Sequence, residues 1–317
     1  MGHNGVRPVR WPRHMGHNRE LWMRLAQIRD FLAVVESGSI SATARMLGVS
    51  QPGLTKSLGA LEAELGASLL KRTPSGVTLT RLGQAFHVRV RAGYAEFAKA
   101  QEELARGGQT QVALGFGPFF AAQIVPQAVM IFREKFPDVQ LRLVEGLGHA
   151  TRPLVRDATL DMTLAPRAPS VRDDPAMRFK PIAHLDQIVV ARRGHPLAQA
   201  RSAASLASAE WLCIVRRDVT AEALRALGVP EPRRITECES FSAMHTLLAG
   251  SDMLAVVQHP FLDMPQVGQA IQEIPIAQRM PGLTVGLHMR ADAPLSKPAA
   301  ALARLVSDIG RKLLQKG

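Results

Sequence analysis

Cysteine is nearly absent from this chain: 317 residues hold two, Cys213 and Cys238. Two thiols cannot form a disulfide framework, and these read as packing groups on or beside apolar strands, with a redox pair as the alternative. Nowhere do 18 apolar residues run together, which excludes a spanning helix, and the first 20 residues lack the apolar segment of a secretory signal. A cytoplasmic protein with no membrane partner is expected. Catalytic signatures are missing too: there is no GxGxxG, GxxxxGK[ST], GxSxG, HExxH or CxxC. The ten histidines are scattered, and His14-x-x-His17 has chelating spacing only by incident. No catalytic residue, metal or cofactor is expected. Acidic residues are in deficit, 27 against 39 Lys and Arg, for a net charge of +12 that favours a polyanionic partner. Residues 1–110 hold 15 of the basic and 8 of the acidic side chains, so the N-terminal third is the more basic part.

That third contains a specific pattern. Leu25, Ile28, Leu32 and Val35 line one face of a helix that Gly38 ends. Ser39 can cap a second short helix buried through Ile40, Ala44 and Leu47, and Gly48 and Val49 make a turn. Ser50 can cap a third helix, with Pro52 harmless in its first turn. Its core face is Leu54, Leu58, Leu61 and Leu65, which leaves Gln51, Pro52, Thr55 and Lys56 on the opposite side. A helix of that kind fits the major groove. Gln51, Pro52 and Thr55 are placed to read bases, and Lys56, Ser39 and Ser50 to bind phosphate. Ser68 to Arg72, a Thr73-Pro74-Ser75-Gly76 turn and Val77 to Leu79 form a two-stranded wing, with Arg72 at its tip as a minor-groove or phosphate contact. From Phe86, the residues Val90, Gly93, Phe97, Ala100 and Leu104 recur at four and three, the seam of a coiled coil. They predict self-association, a homodimer or a dimer of dimers; packing of that seam against the chain's own second half is the alternative.

The run Ser39 to Thr80 contains Ala42-x-Ala44, Gly48-Val49-Ser50-Gln51-Pro52, Leu61-Glu62-x-Glu64-Leu65-Gly66, Leu69-Leu70-x-Arg72-Thr73 and Gly76-Val77-x-Leu79-Thr80-x-x-Gly83. It closely resembles the LysR-type transcriptional regulators, and the similarity extends to all but about the first 20 residues. The chain departs from the family pattern at Gly53, Gly59 and Ala60, where Ala and cationic residues are expected, and at Leu70, where Phe is usual. Gly59 inside a helix costs about 1 kcal/mol relative to Ala. The resemblance implies a winged helix-turn-helix joined by a long linker helix to a two-lobed α/β effector domain like that of periplasmic solute-binding proteins. It also implies double-stranded promoter DNA and a small molecule as partners, with RNA polymerase as a further one compatible with that role.

Four segments follow. Residues 1–20, with Arg7, Arg10, Arg13 and Arg19 and no acid before Glu20, read as a disordered basic arm or as an overlong start. Residues 21–80 form the DNA-binding domain, 81–106 the linker and dimerisation helix, and 107–317 the effector domain. Within the last, lobe 1 is expected at 111–166 and 268–317 and lobe 2 at 167–267, because strands alternate with helices and Pro166 marks a crossing. Ligands bind beyond the carboxyl ends of such strands. The turn Gly115 to Phe120 matches the family's ligand loop, but Gly117 and Pro118 stand where a hydroxyl residue is common. Phe116, Phe119 and Phe120 surround the turn, so an aromatic or apolar effector is expected, with ordinary core packing as the alternative for the rings. Across the cleft, Arg216, Thr220, Ser240, Phe241 and His259 follow strand ends and complete the candidate effector contacts. Two other classes compete: a ligand-independent architectural DNA binder, and an α/β enzyme fused to a DNA-binding domain.

Overall fold

A computed structural model describes residues 24–73, 76–105, 110–167, 174–214, 217–229, 232 and 234–314. The expected arm, His14 and His17, the Gly107-Gly108 hinge and Arg216 lie outside them. Two units divide between Gln101 and Glu102.

In the first unit, α1 (Leu25–Ser37), α2 (Ile40–Leu47) and α3 (Gln51–Leu65) each end at a glycine in left-handed backbone, Gly38, Gly48 and Gly66. The core is Phe31, Val34, Ala44, Leu54, Leu58, Leu61 and Leu69; the α3 face lies as read, but on α1 the buried residues are Phe31 and Val34, while Leu32 and Val35 pack at the edge and Leu25 is exposed. The wing is β1 (Leu70–Thr73) paired antiparallel with β2 (Gly76–Leu79) in the register Leu70↔Leu79 to Thr73↔Gly76. It is tied at both ends. The Val77 N–H donates to the Gly38 carbonyl at 2.8 Å, and the Thr80 N–H to the Leu69 carbonyl at 2.9 Å. Thr80 then caps α4 (Arg81–Ala105), its hydroxyl accepting from the Gly83 N–H at 2.9 Å. Gly83 lies so close to β1 that a Cβ there would overlap the Leu69 carbonyl oxygen.

The expected seam on α4 divides. Phe86 and Val90 pack on the unit's own core, Phe86 edge-to-face with Phe31 at 5.5 Å, because the first turns of α4 run beside α1 and the wing. Gly93, Phe97, Ala100 and Leu104 are exposed.

The second unit contains two five-stranded sheets. It begins with β3 (Gln111–Phe116), α5 (Pro118–Ala121), α6 (Ile124–Lys135), β4 (Gln140–Glu145), α7 (Gly148–Arg156), β5 (Met162–Arg167) and β6 (Met177–Leu185). The chain continues through β7 (Gln187–Arg192), β8 (Glu210–Cys213), α8 (Arg217–Leu227), β9 (Ile235–Glu237), α9 (Phe241–Gly250), β10 (Met253–Gln258), α10 (Pro265–Gly268) and β11 (Ile271–Glu273). Then β12 (Leu283–Arg290) and α11 (Lys297–Leu314) close it. The first sheet has the order β4-β3-β5-β12-β6 and the second β11-β7-β10-β8-β9.

Two strands change lobes relative to the sequence reading. Met177 to Leu185 was expected in lobe 2, but β6 pairs with β12 in the first sheet and puts Ile182, Ala183 and Leu185 into the core with α6 and α11. Conversely β11, expected in lobe 1, pairs with β7 in the second sheet. Pro166 does not mark the crossing. It sits in β5 beyond the last pair with β3, Phe116↔Leu164, so its missing N–H deprives no ladder. The chain crosses at Asp186 and returns through Pro281 and Gly282, where the Gln187 side-chain amide donates to the Pro281 carbonyl at 2.6 Å. Among the described residues no helix is long and apolar enough to cross a membrane.

Candidate functional site

The first candidate surface is the N-terminal half of α3. Leu54, Leu58 and Leu61 face inward, which leaves Gln51, Pro52 and Lys56 exposed and Thr55 half-buried on the other side. The serines act as caps: Ser39 accepts from the Ala42 N–H at 3.3 Å and Ser50 from the Gly53 N–H at 3.2 Å. Gln51 accepts from the Ser41 hydroxyl at 3.0 Å, an orientation that joins α2 to the start of α3. The backbone of Arg72 lies in β1 opposite Val77; its side chain is outside the described set.

Two acids hold this surface in place, and the periodic reading passed over both. Asp30, 7 % exposed on α1, accepts from Ser57 on α3 at 2.7 Å and from Arg29 at 2.8 Å, and the same carboxylate raises the Arg29 pKa. Glu62, within the quoted Leu61-Glu62-x-Glu64 motif, accepts from the Leu69 N–H at 2.6 Å and the Leu70 N–H at 3.0 Å. One carboxylate thus fixes the wing to α3. A carboxylate that takes two backbone donors orders a turn more firmly than a neutral acceptor would.

The second candidate site is a cavity of about 400 Å³ between the two sheets of the second unit, at the carboxyl ends of β3, β5, β8 and β10. Lobe 1 contributes Gly117, Pro118, Phe119 and Phe120 from the β3–α5 turn, Leu147, Gly148, His149 and Arg152 from α7 and its approach, and Leu283 and Val285 from β12. The second lobe contributes Leu212, Cys213 and Ile214 after β8, Val219, Thr220 and Glu222 from α8, and Phe241, Val257 and Gln258 from α9 and β10. Its walls are mainly apolar. Five expected contacts line it: Gly117, Pro118, Phe119, Thr220 and Phe241.

Three do not. Phe116, the last residue of β3, turns into the lobe 1 core by strand alternation and is 7 % exposed. Ser240 spends its hydroxyl capping α9, accepting from the Ala243 N–H at 3.3 Å. His259 opens a 3-10 turn and donates its backbone N–H to the Asp186 carbonyl at 2.9 Å. The sequence reading missed Arg152, His149 and Gln187, although the rule that strand ends face the ligand points to the β4–α7 turn as much as to the turns chosen; at the β10 end it reached the right turn, where Gln258 rather than His259 lines the cavity.

Positive charge concentrates on the lobe 1 side of the cavity. Burial lowers the Arg152 pKa, and Arg156 one turn along α7 lowers it further. Its Nε donates to the Gly148 carbonyl at 2.8 Å. Behind it His288 on β12 is 4 % exposed, its ring 4.7 Å from that of Phe179, and its Nε2 is buried without a hydrogen-bond partner. Burial and then Arg152 push its pKa down to about 4. Arg167 stacks on Phe179 at 4.5 Å. On the far wall, burial raises the Cys213 thiol pKa while a hydrogen bond with Thr220 opposes the rise, so this is a poor nucleophile that packs.

Comparison with known proteins finds two matching families. Residues 25–84 match the family described as bacterial regulatory helix-turn-helix protein, lysR family, and residues 105–310 match the LysR substrate binding domain. A Pseudomonas protein named the SDS degradation transcriptional activation protein is 31% identical over 300 residues, 90% of this chain and 95% of that one. The transcriptional regulator GbpR of Azospirillum brasilense is 26% identical over 90% of this chain and 87% of its own. Among solved structures, a full-length OxyR variant from Pseudomonas aeruginosa aligns with a TM-score of 0.58 at 20% identity, over 93% of this chain and 97% of that one. CbnR, a LysR family transcriptional regulator, aligns with a TM-score of 0.57 at 19% identity, over 90% and 99%.

Proposed function

The chain belongs to the LysR family of DNA-binding transcriptional regulators rather than to any enzyme family, and from that premise we propose that it binds promoter DNA as a dimer or dimer of dimers under control of an apolar effector held between its lobes. The observation that carries the effector half is the 400 Å³ apolar cavity at the strand ends, within the size range of small-molecule sites. For the DNA half, Gln51 and Thr55 read bases and Lys56 and Arg72 bind phosphate, while the Ser39 and Ser50 hydroxyls cap the starts of α2 and α3 beside them. The name of the Pseudomonas relative ties it to SDS, a molecule with a long apolar body, in keeping with an apolar cavity. Coupling follows from linkage: an effector alters promoter occupancy only by preferring one arrangement of the assembly over another.

The test is a mobility shift at fixed salt on the DNA upstream of the protein's own gene, with and without aromatic and aliphatic metabolites. A specific shift that one compound alters is the expected outcome. A specific shift indifferent to every apolar compound would leave an architectural DNA binder, and equal affinity for random DNA would remove the base-reading role of Gln51 and Thr55.

A further inference from the structure

Arg152 stands out among the groups that line the cavity. It is half-buried, its Nε alone makes a hydrogen bond, to the Gly148 carbonyl, and among the described residues no carboxylate lies within ion-pair distance of it. Its neighbours supply no negative charge. Arg156 is paired with Asp174, Arg167 lies over Phe179, and His288 is held neutral. Among the described residues neither terminal nitrogen of the guanidinium has a hydrogen-bond acceptor, so at the cavity wall both are open to water or to a ligand's acceptor. Among the described residues the backbone N–H groups of Gly148 and His149 beside it make no backbone hydrogen bond either.

The β3–α5 turn offers an anion one backbone N–H, that of Phe119, and no charge. The Gly117 N–H donates to the Leu164 carbonyl, Pro118 has no N–H, and the Phe120 N–H donates to the Gly117 carbonyl, while no hydroxyl stands on the turn. Arg152 on α7 is the one arginine or lysine among the described residues that line the cavity. The remaining walls, with Phe119, Phe120, Phe241, Leu212 and Val257 prominent, suit a hydrocarbon body.

We infer that the effector is an amphipathic anion, with a carboxylate or sulfate head paired to Arg152 and an alkyl or aryl body against the phenylalanine wall. This rests on the reading of the cavity as the effector site. Fork-shaped recognition by arginine discriminates strongly between an anion and a neutral group of the same body.

Isothermal titration of the full-length protein with octyl sulfate, octanoate and 1-octanol below their micelle or solubility limits tests it. The expected result is one anion bound per chain, about tenfold or more tighter than the alcohol, with Arg152→Gln erasing that preference and leaving 1-octanol unchanged. Arg152→Lys keeps part of it, and the sulfate and carboxylate arms tell the head groups apart. Ala226→Trp, on the exposed side of α8 at the cavity, weakens all three. Equal binding of anion and alcohol, lost in Ala226→Trp, would overturn the anion while keeping the cavity as effector site. If no probe binds at millimolar concentration, the effector-site reading falls and this inference with it. Glu222→Gln is the control: should it and Arg152→Gln lose all three probes alike, Arg152 serves closure against Glu222 and the inference is overturned.

Discussion

His288 shows how a single buried side chain ties stability to pH. Its pKa of about 4 lies below the ordinary 6.5 because burial and Arg152 disfavour the charged ring. Between those two values the unfolded chain holds a proton that the folded chain does not, so stability falls as pH drops through the window and is fully present above it. The fall between pH 7 and pH 5 amounts to about 2 kcal/mol from this group. His288→Leu, which also removes the unpartnered Nε2, is expected to shrink the loss of urea stability between those pH values by about that amount; an unchanged loss would show that the ring titrates normally. At this scale the sequence was legible where chemistry is local. Ser39, Ser50 and Thr80 cap as their positions demand, since an N-cap needs only its own helix. Arg152 and His288 were not legible, because an arginine's missing partner and a histidine's burial exist only once α7 and β12 pack together.

Among the elements, the wing depends on close backbone approach. A Cβ at Gly83 would overlap the Leu69 carbonyl, the acceptor of the Thr80 N–H that joins wing to linker helix. Gly83→Ala is expected to lower the unfolding free energy of the DNA-binding unit by about 1–3 kcal/mol, read as a shifted urea midpoint, whereas Gly59→Ala on the open face of α3 should stabilise by up to about 1 kcal/mol. An undisturbed Gly83→Ala would mean that α4 shifts freely away from β1. The three short helices and the wing were readable because their periodicities are local. The helical stretch between β3 and β4 divides into α5 and α6, and Pro166 reads as a break yet continues a strand. Both depend on tertiary pairing, as does the placement of β6 beside β12, a partner about a hundred residues away.

For the whole molecule, the exposed half of the α4 seam is the feature to test. Phe97 is 60% exposed and Leu104 79%, with Gly93 one turn before Phe97 and Ala100 between the two, an apolar stripe of the spacing that a second helix covers in a coiled coil. Phe97→Glu is expected to reduce the sedimentation mass toward the monomer without lowering the thermal stability of the core around Phe31, since only Phe86 and Val90 serve that core. An unchanged mass would place the assembly contacts elsewhere. The pairing of β6 with β12 has a different consequence. Leu185 and Leu283 are direct partners in that ladder, so residues 186–282 leave and re-enter lobe 1 at adjacent points. Topologically the second lobe is one long loop at the tip of a β-hairpin. A disordered loop of that length would cost about 3 kcal/mol more to close than a two-residue turn, and an ordered lobe with neighbouring ends offsets that cost through its own packing. Length changes in the loops of the second lobe therefore leave the register of the sheet that carries it unshifted, since the chain leaves and re-enters that sheet at a single pair of leucines.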